Sequence, residues 1–183
     1  NYDKLLYSSF IENDIFGGYD GYLIDGMLEQ GFNADNLVRQ YNRDFGYYLH
    51  LHGSPLFIQR GNKTIKLSRD QLSLDDERIG RDIVLTHIAH KPSVIAASIA
   101  LTTYWDYLKF SLSEADEIIL FGYSGLDTHL NSMIKPYLNG KNIKVVEWSG
   151  AGTEIDRKRY WRSLLNETPE LMRLKNILEF NEW

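Results

Sequence analysis

The stretch Glu117-Ile-Ile-Leu-Phe-Gly-Tyr-Ser-Gly-Leu-Asp127 decides the fold. Its first five residues form an apolar run bounded by a Gly/Ser/Asp turn, which reads as a buried strand, and the segment that follows, to about Leu138, reads as a helix. Ile143-Lys-Val-Val-Glu147 repeats the arrangement, feeding a glycine loop (Ser149-Gly-Ala-Gly152) and a helix from Thr153 to about Leu165. Two consecutive strand-loop-helix units with apolar strands predict a parallel sheet in a doubly wound α/β fold. Ligands of such sheets bind at the carboxyl ends of the strands. There, Gly122 and Gly125 let the backbone approach a ligand closely, and Ser124 or Asp127 can cap the next helix, whose positive end favours an anion or a sugar hydroxyl. The same residues serve ordinary capping equally well. Glu147 ends the second strand where dinucleotide folds keep the acid that holds a ribose hydroxyl, a position that also suits a solvent-exposed glutamate.

Further toward the amino terminus, Tyr48-Leu-His-Leu-His-Gly-Ser-Pro55 extends a predicted strand over Tyr47 to Leu51. Side chains alternate along a strand, so His50 and His52 share one face, and Gly53 and Pro55 end the run just after His52. Three chemistries compete. A metal site using His50 and His52 needs further ligands; Ser54 occupies the next alternate position, and His87, His90 and His129 are the other histidines. A hydrogen-bonded structural histidine suits His50. A general base suits His52 at the strand end, since a neutral imidazole accepts a proton near pH 7.

The remaining elements are a short helix over Asp3 to Glu12, a glycine- and tyrosine-rich loop at Gly17 to Gly21, and a helix over Ala34 to Phe45. A hairpin over Leu56 to Leu67, a helix start at Ser68 and a short strand at Ile83 to Thr86 follow. A long helix over Ser93 to Ser111 then opens with Pro92 in its first turn. A chain of 183 residues, 43% hydrophobic and 13% aromatic, has the size and composition of one folded α/β domain. The complete lack of cysteine excludes disulfides, thiolate zinc sites and cysteine nucleophiles. No apolar run is long enough to span a membrane and nothing resembles a signal peptide, so a cytoplasmic protein is expected. The net charge of −5 argues against nucleic acid as a partner. The one basic cluster, Arg157-Lys-Arg159 with Arg162, is interleaved with Tyr160 and Trp161 and reads as a solvated helix face.

Three motifs in order carry a family resemblance: Asn1-Tyr-Asp-Lys-Leu-Leu6, Leu51-His-Gly-Ser54 and Phe121-Gly-Tyr-Ser-Gly-Leu-Asp127. Together they resemble the divergent, zinc-ribbon-free bacterial branch of the sirtuin-like proteins over roughly Asn1 to Tyr137. The resemblance implies a Rossmann-like, mainly parallel sheet with helices on both faces, a single domain over residues 1–183 that begins after the family's glycine-rich first βα unit, and NAD as ligand or substrate. It implies that Asn1 orients the nicotinamide ribose or the attacking water, and that Asp3 supports that loop. His52 would be the base, Gly122 and Ser124 would contact the ribose and phosphate region, Asp127 would fix the turn, and Glu147 would lie by the adenosine half. The expected activity of the parent is NAD hydrolysis to nicotinamide and ADP-ribose in bacterial anti-phage defence, with this part inactive alone. The alternatives are an inactive nucleotide-sensing or protein-interaction module and, third, a metal-dependent hydrolase using His50 and His52. Homo-oligomerisation is compatible with all of them.

Overall fold

The computed structural model describes residues 9–16, 22–28, 30–39, 45–67 and 90–182. Asn1, Asp3, His87, the Gly17–Gly21 loop, the helix start at Ser68 and the strand expected at Ile83 to Thr86 lie outside the described residues. The chain forms two compact units, residues 1–108 and 109–183. It is a mixed α/β structure whose pairings are parallel for three strand pairs and antiparallel for two.

In the first unit, β1 (Leu23–Ile24) pairs in parallel with β4 (Gly46–Tyr47), while β2 (Met27–Leu28) and β3 (Gly31–Phe32) form a small antiparallel pair. The predicted hairpin is present: β5 (Phe57–Arg60) and β6 (Lys63–Lys66) pair antiparallel, with Gly61 at φ +63° supplying the turn conformation that side chains disfavour. Leu37, Phe57, Ile58, Leu101 and Tyr104 are the most deeply buried apolar side chains here. Of the helix expected over Ala34 to Phe45, where residues 40–44 lie outside the described residues, the described part is a single 3₁₀ turn, Ala34–Leu37. Asn33 caps its start, and Val38 turns extended (φ −70°, ψ 122°) and ends it.

The long helix expected over Ser93 to Ser111 is two helices, α1 (Lys91–Ala97) and α2 (Ile99–Glu114). Pro92 sits in the first turn of α1 as predicted. The break is at Ser98, whose backbone is extended (φ −114°, ψ 120°) and whose hydroxyl accepts from the amide of Leu101, starting α2 as a cap.

The second unit carries the expected parallel units. β7 (Glu117–Phe121) coincides with the predicted strand, and α3 (Thr128–Ile134) leads through a 3₁₀ turn at Lys135–Tyr137 into β8 (Asn142–Trp148). α4 (Glu154–Leu165) starts at the Thr153 cap and ends at Asn166 in the left-handed conformation. It feeds β9 (Glu170–Leu174), a strand the apolar pattern does not announce. The sheet order is β7-β8-β9, all parallel. Central β8 is the apolar strand, with Val145 and Val146 fully buried. The described strands form four separate sheets, and the strand before His52 belongs to a different one from β7-β8-β9. No helix among the described residues is long and apolar enough to cross a membrane.

Candidate functional site

In the second unit, four of the residues singled out by sequence lie at one sheet edge. Gly122, Ser124 and Asp127 belong to the loop after β7, and Glu147 is the penultimate residue of β8, its parallel neighbour. The loop is closed from inside. Gly122, at φ +60°, donates its amide to the carbonyl of Val146 (3.0 Å). Asp127 caps α3 by accepting from the Leu130 amide (3.1 Å), while the Ser124 hydroxyl accepts from the Leu126 amide (3.4 Å). Of the two caps the sequence allowed, Asp127 serves the helix and Ser124 the turn.

Side chains from the two following helices take up two of the loop's carbonyls. Tyr160 Oη donates to Ser124 O (2.9 Å) and Asn131 Nδ2 to Gly125 O (2.7 Å). The Tyr123 hydroxyl lies 3.1 Å from Asp127 O and 2.8 Å from Asn131 Oδ1. Burial, reinforced by the nearby Asp127 charge, pushes the Tyr123 phenol up to about 12, so it stays a donor at neutral pH. The amides of Tyr123, Ser124 and Gly125 make no hydrogen bond among the described residues. Consecutive amides left unspent beside carbonyls that are held in place suit an anion or a hydroxyl oxygen.

Glu147 is 5% exposed, and its carboxylate is enclosed. Arg157 grips it with Nε (2.9 Å) and Nη2 (2.7 Å) on Oε2, Trp161 Nε1 donates to the same oxygen (2.9 Å), and Arg173 Nε lies 3.3 Å from Oε1. Burial works to raise its carboxyl, but the Arg157 and Trp161 hydrogen bonds and the two guanidinium charges hold it below the usual carboxylate range. Its oxygens therefore serve α4 and β9. The basic cluster divides accordingly. Lys158, Arg159 and Arg162 are exposed as expected of a solvated face, whereas Arg157 turns inward beside the fully buried Trp161.

His52 belongs to the first unit. The strand expected through Leu51 is shorter: β4 ends at Tyr47, one further amide (Tyr48 N to Ile24 O, 2.8 Å) continues the pairing, and the chain then turns. The amide of Gly53, at φ +74°, donates to His50 O (2.8 Å), so Leu51 and His52 occupy the corner of a tight turn. The two histidines thus do not share a strand face. His52 is half-buried and edge-on to Trp105 (centroids 6.3 Å apart), and Trp105 Nε1 donates to Leu51 O (3.0 Å), holding the turn against α2.

His50 is 7% exposed and packs edge-on against Tyr48 and Phe57, with Nε2 3.8 Å from Asp25 Oδ2. Asp25, 2% exposed, receives Lys66 Nζ on Oδ2 (2.5 Å) and the Met27 amide on Oδ1 (2.9 Å). Burial pulls both His50 and Lys66 below their ordinary values against the attraction of Asp25. For Asp25 itself burial acts upward, and His50 and Lys66 outweigh it and hold the carboxyl low. Sequence reading missed this cluster because Asp25 and Lys66 are 41 positions apart; the only local sign is Asp25-Gly26 at the end of an apolar dipeptide. No group of three or more His, Asp or Glu side chains that could hold a metal exists among the described residues. A groove of about 720 Å³ in the first unit, lined by Phe32, Lys63, Thr64, His90 and Ile99 among others, contains neither His50 nor His52.

No protein-family model and no curated protein matches this chain.

Proposed function

We propose that the chain is a sirtuin-like NAD-binding domain of Rossmann-like type whose full-length protein hydrolyses NAD to nicotinamide and ADP-ribose in the bacterial cytoplasm, in anti-phage defence. The observation that carries this reading is the Gly122–Asp127 loop. The carbonyls of Ser124 and Gly125 are taken up by Tyr160 and Asn131 and, among the described residues, the amides of Tyr123, Ser124 and Gly125 are unspent, at the carboxyl edge of a parallel sheet, where nucleotides bind. The order of the three motifs in the sequence supports it independently.

In this reaction the bond between nicotinamide and the ribose anomeric carbon breaks with its electron pair leaving on nicotinamide, and water attacks the oxocarbenium-like carbon. The products are ADP-ribose, nicotinamide and one proton. The chain's own residues supply binding and a base: the loop amides hold the ribose and phosphate region, Asp127 fixes the turn, and His52 takes the proton from water or a ribose hydroxyl. Asn1 is assigned to orienting the water and Asp3 to supporting it. The test follows nicotinamide release from NAD by the full-length protein and by His52→Ala. The expected outcome is release by the wild type that falls about 10²- to 10⁴-fold in the variant. Saturable NAD binding with no release from either protein would instead make this a nucleotide-sensing module.

A further inference from the structure

We propose that Tyr160, steered by Arg157 and Glu147, is a positioning residue for the Gly122–Asp127 loop. The buried carboxylate at the end of β8 thereby acts on the loop at the end of β7 through two side chains of α4. The proposal rests on the reading that this loop receives the nucleotide.

The contacts form an unbroken path. Glu147 holds the edge of the Arg157 guanidinium in a two-point grip (2.9 and 2.7 Å). The same guanidinium lies 4.4 Å from the centre of the Tyr160 ring and 5.3 Å from that of Trp161. A planar group bonded along its edge and stacked on its face has little freedom left, so it sets where the Tyr160 ring sits. Tyr160 Oη then donates to Ser124 O (2.9 Å).

That last bond controls an atom the tyrosine does not touch. The carbonyl of Ser124 and the amide of Gly125 belong to one planar trans peptide, in which C=O and N–H point in opposite directions. Holding the carbonyl on Tyr160 therefore aims the unspent Gly125 amide away from α4. The anchor is needed because Gly125, at φ +80°, is the residue type for which rotating that peptide costs least. A β-carbon there would lie 2.6 Å from Tyr160 Oη, so glycine also admits the hydroxyl to its position.

Two measurements on the full-length protein test this: hydrogen exchange at the bonded loop amides of Gly122 and Leu126, and ADP-ribose affinity by calorimetry. Tyr160→Phe keeps the ring under Arg157 and removes only the hydroxyl. It should speed exchange in the loop about fivefold and weaken ADP-ribose about fivefold, the size of one lost hydrogen bond, while the unfolding midpoint falls by only about 2–4 °C. Glu147→Gln should act in the same direction, and the double variant should be no worse than the stronger single one, since both substitutions interrupt one path. Arg157→Leu replaces Glu147→Gln if that variant does not fold. Unchanged loop exchange in Tyr160→Phe overturns the proposal, and additive losses in the double variant overturn the part played by Glu147. A wild type that ignores ADP-ribose, with loop exchange responding as expected, keeps Tyr160 as the anchor and removes the nucleotide reading instead.

Discussion

His50 and His52 differ by two positions and occupy unlike surroundings. The turn closed by Gly53 puts His52 at a half-buried corner braced by Trp105, while His50 points to the buried Asp25–Lys66 pair. Alternation along a strand makes the two equivalent; the early end of β4 separates them. Glycines show the same dependence on surroundings. Gly125 and Gly140 both have positive φ, yet a β-carbon at Gly125 meets Tyr160 Oη at 2.6 Å and Leu164 at 2.7 Å, whereas at Gly140 it meets nothing within 4 Å. Gly140→Ala should cost about 1 kcal/mol for backbone strain alone, and Gly125→Ala about 1–2 kcal/mol more. Urea denaturation of the two variants side by side checks the difference; equal losses would mean that Tyr160 and Leu164 move aside freely.

At the scale of elements, caps decide boundaries that hydrophobic spacing leaves open. The apolar positions from Ile95 to Leu108 continue without interruption, but Ser98 spends its hydroxyl on the Leu101 amide and its backbone amide on Ile95 O, so two helices replace one. Asp127 does the comparable work for α3, and the loop before it inherits its geometry from that cap. Asp127→Ala should lower stability by about 0.5–2 kcal/mol and weaken ADP-ribose binding together, whereas Thr153→Ala at the start of α4 should lower stability by a similar amount with binding unchanged. Thermal melts and ligand titration of both variants measure the split. The strands β7 and β8 were legible because an apolar run closed by a glycine turn is a local signal. β9 was not, since Glu170-Leu-Met-Arg-Leu174 lacks such a run and becomes a strand by pairing with β8.

For the whole molecule, the buried Asp25–His50–Lys66 cluster sets a pH dependence. His50 is held below its ordinary value of 6.5 by burial, so near and below that pH the unfolded chain takes up a proton that the folded chain refuses. Its contribution is therefore complete above about pH 6.5 and is lost as the pH falls toward the lower folded value. Asp25 is also held low, but from 3.8, so its contribution is lost only in stronger acid. The midpoint of thermal unfolding should decline as the pH falls below about 6.5 in the wild type and more shallowly in His50→Phe, which keeps an aromatic ring among Tyr48, Phe57 and Tyr104. Parallel declines in the two proteins would remove His50 as the source.

Sequence by itself determined the α/β class, the β7–loop–α3 and β8–loop–α4 units, the β5–β6 hairpin and the residues at the sheet edge, because periodicity, turn glycines and capping side chains act within a few positions of one another. Only the tertiary structure decided what those residues do. Glu147 was legible as a strand-end acid, but whether it meets solvent, a ribose or two arginines depends on Arg157 and Arg173, 10 and 26 residues further along the chain. Tyr160 was legible as one aromatic on a basic helix, and its bond to Ser124 exists because α4 returns across 36 residues to the loop after β7. Contacts over such separations carry no local pattern, since the hydrogen bond is directional and short-ranged and its partner is chosen by the packing of the sheet.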